Sequence, residues 1–384
     1  MAGSALAGVL ARAGLGVLLI EKERRFRDRN RGESTWPWGV AEASRLGLGE
    51  VLERAGRVAL PELRVYQDQE VTQTYRWEAE PLIGFSHPAA QEAFFAWAGS
   101  LGAATIRPAK VTSVTCNHTM SVRVTHADEE VEYTSRLVVG ADGKMSLARR
   151  WIGAETISDP EHHRFGGVLL ERVEADRSAV HNAPAPGTGG IWFAQSATAT
   201  RLYLSLPAER VRATGAGRSL AAFLAVAAGI MPEGALANAR RVGPMGFFPN
   251  SDVWASRIAG ERVVLIGDAA GAADPSLGHG TSLLFRDVRE LNELLLAGPN
   301  WDTAIAEFAR RRREYFAVIR AKDQWYASLT LDEGVEADRR RERHALAKEQ
   351  DPTLGGFALL EERGPDGLVP DEAARRVYFG ECAS

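Results

Sequence analysis

The chain of 384 residues is short of several things at once, and each shortage excludes a class of protein. Its two cysteines, Cys116 and Cys382, are too few for a disulfide framework, so a reducing, cytoplasmic setting is the expectation. Neither sign of charge prevails: 46 Lys+Arg against 50 Asp+Glu leave a net charge of −4, which offers nucleic acid no footprint. No stretch reaches the ~20 uninterrupted apolar residues of a membrane span. Residues 1–20 are apolar, but Arg12 interrupts them and the charges of residues 21–25 follow, the wrong order for a secretory signal. Lysine is scarce: Lys22, Lys110, Lys144, Lys322 and Lys348 are all there are, so arginine supplies 41 of the 46 cations. With the abundant Ala and Gly, that hints at a GC-rich bacterial genome and says nothing about chemistry. Neither His279 nor the pair His162-His163 has a partner at metal-ligand spacing, so no metal is assigned.

What is present is ordinary globular composition, 45% hydrophobic and 25% charged. At ~150 residues per domain the length suggests two to three domains. Residues 3–13 read as a helix, stopped by Gly14-Leu15-Gly16, and Val17 to Ile20 as a strand ending in Glu21. That is the second half of a βαβ dinucleotide-binding unit, whose terminal acid accepts from a ribose hydroxyl. Gly3 stands where the third glycine of G-x-G-x-x-G belongs, and the strand and two glycines that should precede it are not in the chain. The expectation is that Met1 is not the natural start and that about a dozen residues upstream carry the strand and its glycine turn. Without them, Val17–Ile20 and Val263–Ile266 would lack the strand between them.

Further along, helical pieces over 34–58 break at Gly47 and Gly49, and residues 62–78 alternate as exposed strands do. His87-Pro88 opens a helix that Gly102 closes. Short strands follow near Thr105, Val111 to Thr115, Ser121 to Thr125 and Leu137 to Val139, then strand patterns over 165–206. Helix dominates 281–349, with Leu284, Val288, Leu291 and Leu295 on one face. The arginine runs at 310–313 and 339–343 have acidic neighbours and read as solvated helix faces. The tail from Asp351 is rich in Gly, Pro and acids, and loose packing is expected of it.

Two motifs carry chemistry. In Val138-Val139-Gly140-Ala141-Asp142-Gly143-Lys144, a buried strand delivers a glycine-flanked acid, with Ser146 and Arg149 beyond. In Leu265-Ile266-Gly267-Asp268-Ala269-Ala270-Gly271, a second strand does so. Asp274-Pro275 and Gly278-His279-Gly280-Thr281 then form a loop that opens a helix and aims backbone N–H groups at an anion.

Together these resemble the FAD-dependent aromatic hydroxylases, the monooxygenases of the p-hydroxybenzoate hydroxylase type, over residues 2–320. The resemblance implies an α/β fold with a Rossmann-like FAD domain (1–60, 84–160 and 260–300), a mixed-sheet substrate domain (61–83 and 161–259) and C-terminal helices and tail (301–384). It implies cofactor contacts from Gly3, Glu21, Arg31, Gln91, Val111, Asp142, Gly143, Gly267, Asp268, Pro275, Gly278, His279, Gly280 and Thr281. Asp268 would accept from the ribityl chain, Asp142 and Gly143 would lie near the pyrophosphate, and Gly278 to Thr281 would face the edge of the flavin that turns negative on reduction. Arg149 reads as structural, Arg31 as a phosphate contact or a solvated arginine. No catalytic side chain is singled out. The implied reaction uses NAD(P)H and O2 to hydroxylate or epoxidise a small hydrophobic, aromatic substrate through a flavin C4a-hydroperoxide.

Two departures bear on this. Gly271 stands where the family often has His, as in the related geranylgeranyl-reductase and halogenase branches; a flavin-dependent reductase is the alternative, and a truncated remnant without activity is a third reading. Gly32-Glu33-Ser34 resembles a segment of flavin-dependent halogenases, but no lysine lies between Lys22 and Lys110 and the W-x-W-x-I-P motif is absent, so halogenation is disfavoured. Trp192, Phe193, Tyr203, Phe247 and Phe248 fall where a substrate sheet would be, as pocket lining or core.

Overall fold

The computed structural model describes residues 1–117 and 119–381; Cys382 lies outside them. Among the described residues, no helix is long and apolar enough to cross a membrane. A seven-stranded sheet runs in the order 240–250, 163–171, 199–206, 189–194, 179–183, 62–67, 70–76. Its pairings are antiparallel except that of Ala179–Ala183 with Glu62–Gln67. Strict alternation divides its residues between two faces. Val168, Leu170, Trp192, Leu202 and Leu204 pack under the helix Leu220–Ala228, while Phe165, Val180, Phe193 and Tyr203 face the other way.

The parallel part of the fold is in two pieces. Leu18–Ile20 pairs with Ala104–Ile106, and Val138–Gly140 pairs with Val263–Leu265. The expectation that 263–266 would lack a neighbour is corrected here: Ala259–Gly260 forms a hairpin with this strand, so Val263–Leu265 is paired on both sides. In these two sheets Leu18–Ile20, Ala104–Ile106, Val138–Gly140 and Ala259–Gly260 each keep one edge without a strand partner. Helices Ala2–Arg12, His87–Ser100 and Gly280–Leu296 cover these strands, burying Leu6, Phe94, Phe285, Val288 and Leu291 in one core. Most sequence-derived elements occur within a residue or two; Glu129–Ser135, a strand outside the expected set, completes a three-stranded sheet with 110–117 and 119–126.

Two expectations fail for packing reasons. The tail is not loose: Phe357, Leu360, Tyr378 and Phe379 are buried, and Trp325 meets the rings of Phe357 and Tyr378 at 4.8 and 5.4 Å. Four large apolar residues among many polar ones suffice to dock a segment whose composition reads as linker. The run 310–313 is not wholly solvated either. One residue in four of a helix turns inward, and Arg312 is that residue: its Nη2 donates to the Gly271 carbonyl at 2.9 Å and its Nε lies 3.4 Å from Asp287.

Candidate functional site

Three strands end at one cavity. Leu18–Ile20 runs out at Glu21, Val138–Gly140 at Asp142, and Val263–Leu265 at Asp268, and all three acids line a space of about 790 Å³. Clefts at the carboxyl ends of parallel strands are where open α/β sheets bind ligands, and this volume lies within the range of cofactor pockets. The space also extends along the unpartnered edges of the first two strands, past Leu18, Ile20 and Val138.

Of the fourteen residues expected at a cofactor, twelve line this cavity: Gly3, Glu21, Arg31, Gln91, Val111, Asp142, Gly143, Asp268, Pro275, Gly278, Gly280 and Thr281. Gly267 and His279 do not. Gly267 makes the turn behind the site, its backbone at φ +58° and its N–H held by Asp287 Oδ2 at 2.7 Å, which swings Asp268 forward. His279 is corrected outright. Its ring is fully buried between Trp36 and Trp38, 6.0 and 6.2 Å away, and both nitrogens lack a hydrogen-bond partner. Burial first, and the Lys322 charge second, hold its pKa at about 3, so it is a neutral imidazole turned into the core.

The remaining acids divide by what they already hold. Asp142 Oδ2 accepts from the N–H groups of Leu147 and Ala148 at 2.6 and 3.2 Å, capping the short helix that follows. Glu21 spends one oxygen on the Glu23 N–H at 2.8 Å. Among the described residues the Asp268 carboxylate has no hydrogen-bond partner, and it lines the cavity. Its turn is fixed from behind by buried Arg149, which donates to the Asp268 and Ala269 carbonyls at 3.0 and 2.9 Å, the structural role expected of that arginine. Gly278, at φ +71°, turns the chain so that the helix Gly280–Leu296 starts at the cavity. Its first helical bond runs from Leu283 N–H to His279, which leaves earlier N–H groups pointing outward at the positive helix end. Arg31, Lys22, Arg27 and Lys144 complete this end with positive charge. Burial lowers the Lys144 pKa, against the raising influence of Asp268.

The other end is built of rings. Phe165, Phe193, Tyr203 and Phe248 line it with Val180 and Ile191. Phe165 stacks on Tyr203 at 4.7 Å and meets Phe248 at 5.7 Å. Trp192 and Phe247, one residue out of phase, go to the opposite face, where Trp192 stacks on His181 at 5.1 Å and Phe247 packs on Phe223. Of the five aromatics in question, three are therefore lining and two are core.

Sequence reasoning missed four features. Arg201, wholly buried, donates to Glu33 through Nε and Nη2, both at 2.6 Å, to Asn30 at 2.5 Å and to Asp28 at 2.6 Å; Tyr203 donates to Glu33 at 2.7 Å. His87 lines the cavity with its pKa pushed by burial to about 4; being neutral, it must donate through Nδ1 to the Gly32 carbonyl at 2.7 Å. Asp274 lines the cavity and holds His162 at 3.1 Å. Behind it Asp252 is raised to about 7, first by burial and then by the Asp274 charge. Asp274 and Glu33 stood inside quoted motifs; the partners that give them meaning are distant in sequence.

The donor set fits FAD. An unpartnered carboxylate suits a polyol hydroxyl, a half-free one a ribose, the cations a pyrophosphate, and an uncapped helix start an aromatic edge that becomes anionic. Comparison with known proteins agrees: the family model described as FAD binding domain matches residues 1–300. A digeranylgeranylglycerophospholipid reductase of Methanococcoides burtonii is 24% identical over 73% of this chain and 68% of its own. A ubiquinone hydroxylase of Rhodospirillum rubrum is 30% identical over 56% of this chain, which spans 51% of that protein. A p-nitrophenol 4-monooxygenase structure from Pseudomonas putida superposes with a TM-score of 0.78 at 18% identity, covering 96% of each chain. The expected family resemblance and fold are borne out.

Proposed function

The chain belongs to the FAD binding domain family, and from that premise we propose that it is a monooxygenase taking electrons from NAD(P)H to insert one oxygen atom of O2 into a small hydrophobic, aromatic molecule. The observation that carries the reading is the continuity of one cavity, with unpartnered Asp268 and an open helix start at one end and stacked rings at the other. FAD, when bound, supplies the redox and oxygen chemistry. The protein's own residues bind and orient. Glu21 and Asp268 accept from hydroxyls, Arg31 and Lys144 face phosphate, and the N–H groups of Gly280 and Thr281 favour negative charge near them. Phe165, Phe193, Tyr203 and Phe248 hold a flat ring and exclude water.

Reduction of an alkene is the competing reading, and the Methanococcoides relative supports it. Its sequence argument rested on Gly271. A Cβ there would lie 2.9 Å from the Arg312 guanidinium and 3.1 Å from both Phe316 and Trp254, so close packing favours glycine at this position independently of the reaction. Halogenation is disfavoured because no lysine lies between Lys22 and Lys110 and the W-x-W-x-I-P motif is absent from the sequence. The test is oxygen-dependent NAD(P)H consumption by the purified flavoprotein, with isotopically labelled O2 traced into product. Oxidation of NAD(P)H without oxygen, coupled to loss of a double bond, would establish the reductase instead; absence of bound flavin would leave a remnant.

A further inference from the structure

The charges around the cavity are unevenly spent, and the unevenness bears on what the ring end accepts. Lys22, Arg27, Arg31 and Lys144 line the cavity and, among the described residues, make no ion pair, whereas Arg29 beside them is paired with Glu23 at 2.8 Å. The ring end is different. Behind its aromatic wall lies Arg201, on the strand Ala199–Leu206 and 5.9 Å from the Tyr203 ring, and it is consumed. Glu33 grips its Nε and Nη2, Asp28 takes a second bond from Nη2, and Asn30 takes Nη1. Two carboxylates thus face one guanidinium. With both Glu33 and Asp28 bonded to it, Arg201 offers no free guanidinium edge to the ring end. Tyr203, the one hydroxyl on the aromatic wall, gives its proton to Glu33. His87 is neutral, and His162 is already committed to Asp274.

Resting on the reading of the cavity as a monooxygenase site, we propose that the buried ring of the substrate carries no carboxylate, and that Glu33 enforces this by cancelling Arg201. An ionised group held among the rings would shed its water and meet Arg201 only in the company of Glu33 and Asp28, which already occupy it. A phenol or a fused phenol loses little there. Its hydroxyl can share the Tyr203 oxygen as acceptor, and its faces match Phe165 and Phe248. The selectivity is therefore set by Glu33, a buried residue at the cavity lining, acting through the charge of Arg201 that it cancels.

The experiment compares naphthol with hydroxynaphthoate, two ligands sharing a ring and differing by a carboxylate. Each is titrated into the purified holoenzyme, with the flavin absorbance change as readout and tryptophan fluorescence as an independent check. Wild type is expected to bind naphthol at least about tenfold more tightly, the equivalent of ~1.4 kcal/mol. Glu33→Gln should narrow or invert that ratio by relieving negative charge beside Arg201. Should that variant fail to fold, Asp28→Asn removes the second carboxylate at the better-exposed edge of the network and should move the ratio the same way. Equal or tighter binding of hydroxynaphthoate by wild type overturns the inference, and so does a ratio that both variants leave unmoved. If neither ring binds, the aromatic-substrate reading falls, and the inference falls with it.

Discussion

One end of the cavity is made of chain ends and backbone, the other of side chains on a sheet, and the two ends distribute their energetics differently. At the cofactor end three strands each deliver one acid, and one helix start supplies the amides. Each contact there is local and nearly independent of the rest. At the ring end Phe165, Phe193, Tyr203 and Phe248 come from four strands that must be in register before any two rings meet. Changes at the first end should therefore act sharply on one ligand. At the second they should spread through packing.

The largest effect tests whether the ring end depends on its hidden charges. Arg201→Met leaves Glu33 and Asp28 without their cation; breaking such a buried pair typically costs ~3–5 kcal/mol, readable as a lowered urea midpoint. Survival of the midpoint would show that the two ends are not held together by this network. Next is acid. His279 stays neutral in the folded chain down to about pH 3, whereas the unfolded chain takes its proton near pH 6.5. Its contribution to stability is therefore full above about 6.5 and shrinks as pH falls, by up to about 3 kcal/mol at pH 4. His279→Leu should flatten that acid limb relative to wild type while leaving flavin content at neutral pH unchanged, because the ring does not line the cavity.

Asp268→Ala should sharpen the contrast from the cofactor side. A hydrogen bond to a charged group contributes ~1.5–3 kcal/mol, so flavin affinity should fall roughly ten- to hundredfold with the circular dichroism unchanged. The smallest effect belongs to Phe165→Leu. Losing the stack on Tyr203 removes ~0.5–1.5 kcal/mol, which should weaken naphthol binding severalfold and leave flavin affinity alone. A comparable loss of flavin in that variant would erase the distinction between the two ends.

The same contrast explains what could be read in the sequence. The strand-then-acid motifs at Asp142 and Asp268 are contiguous, so their element type and their meeting at one cavity were legible. Arg201 and Glu33 lie 168 positions apart, and nothing local marks either as the other's partner. The neighbours of Val263–Leu265 were misjudged because the pairing with Ala259–Gly260 is a two-residue strand with no periodicity to detect. The burial of Phe357 and Tyr378 depended on Trp325, supplied by a helix whose inward face composition alone does not identify.

The bonds from residues 28–33 to the strand Ala199–Leu206 also have a mechanical meaning. They act as a rivet between the segment that borders the cofactor end and the wall that borders the ring end. If residues 28–33 move, the short bonds to Arg201 and Tyr203 must break, or the strand must travel with them. Were a ligand at one end to hold residues 28–33 in place, any factor by which it changed affinity at the other end would have to be returned in full, because binding coupling is reciprocal.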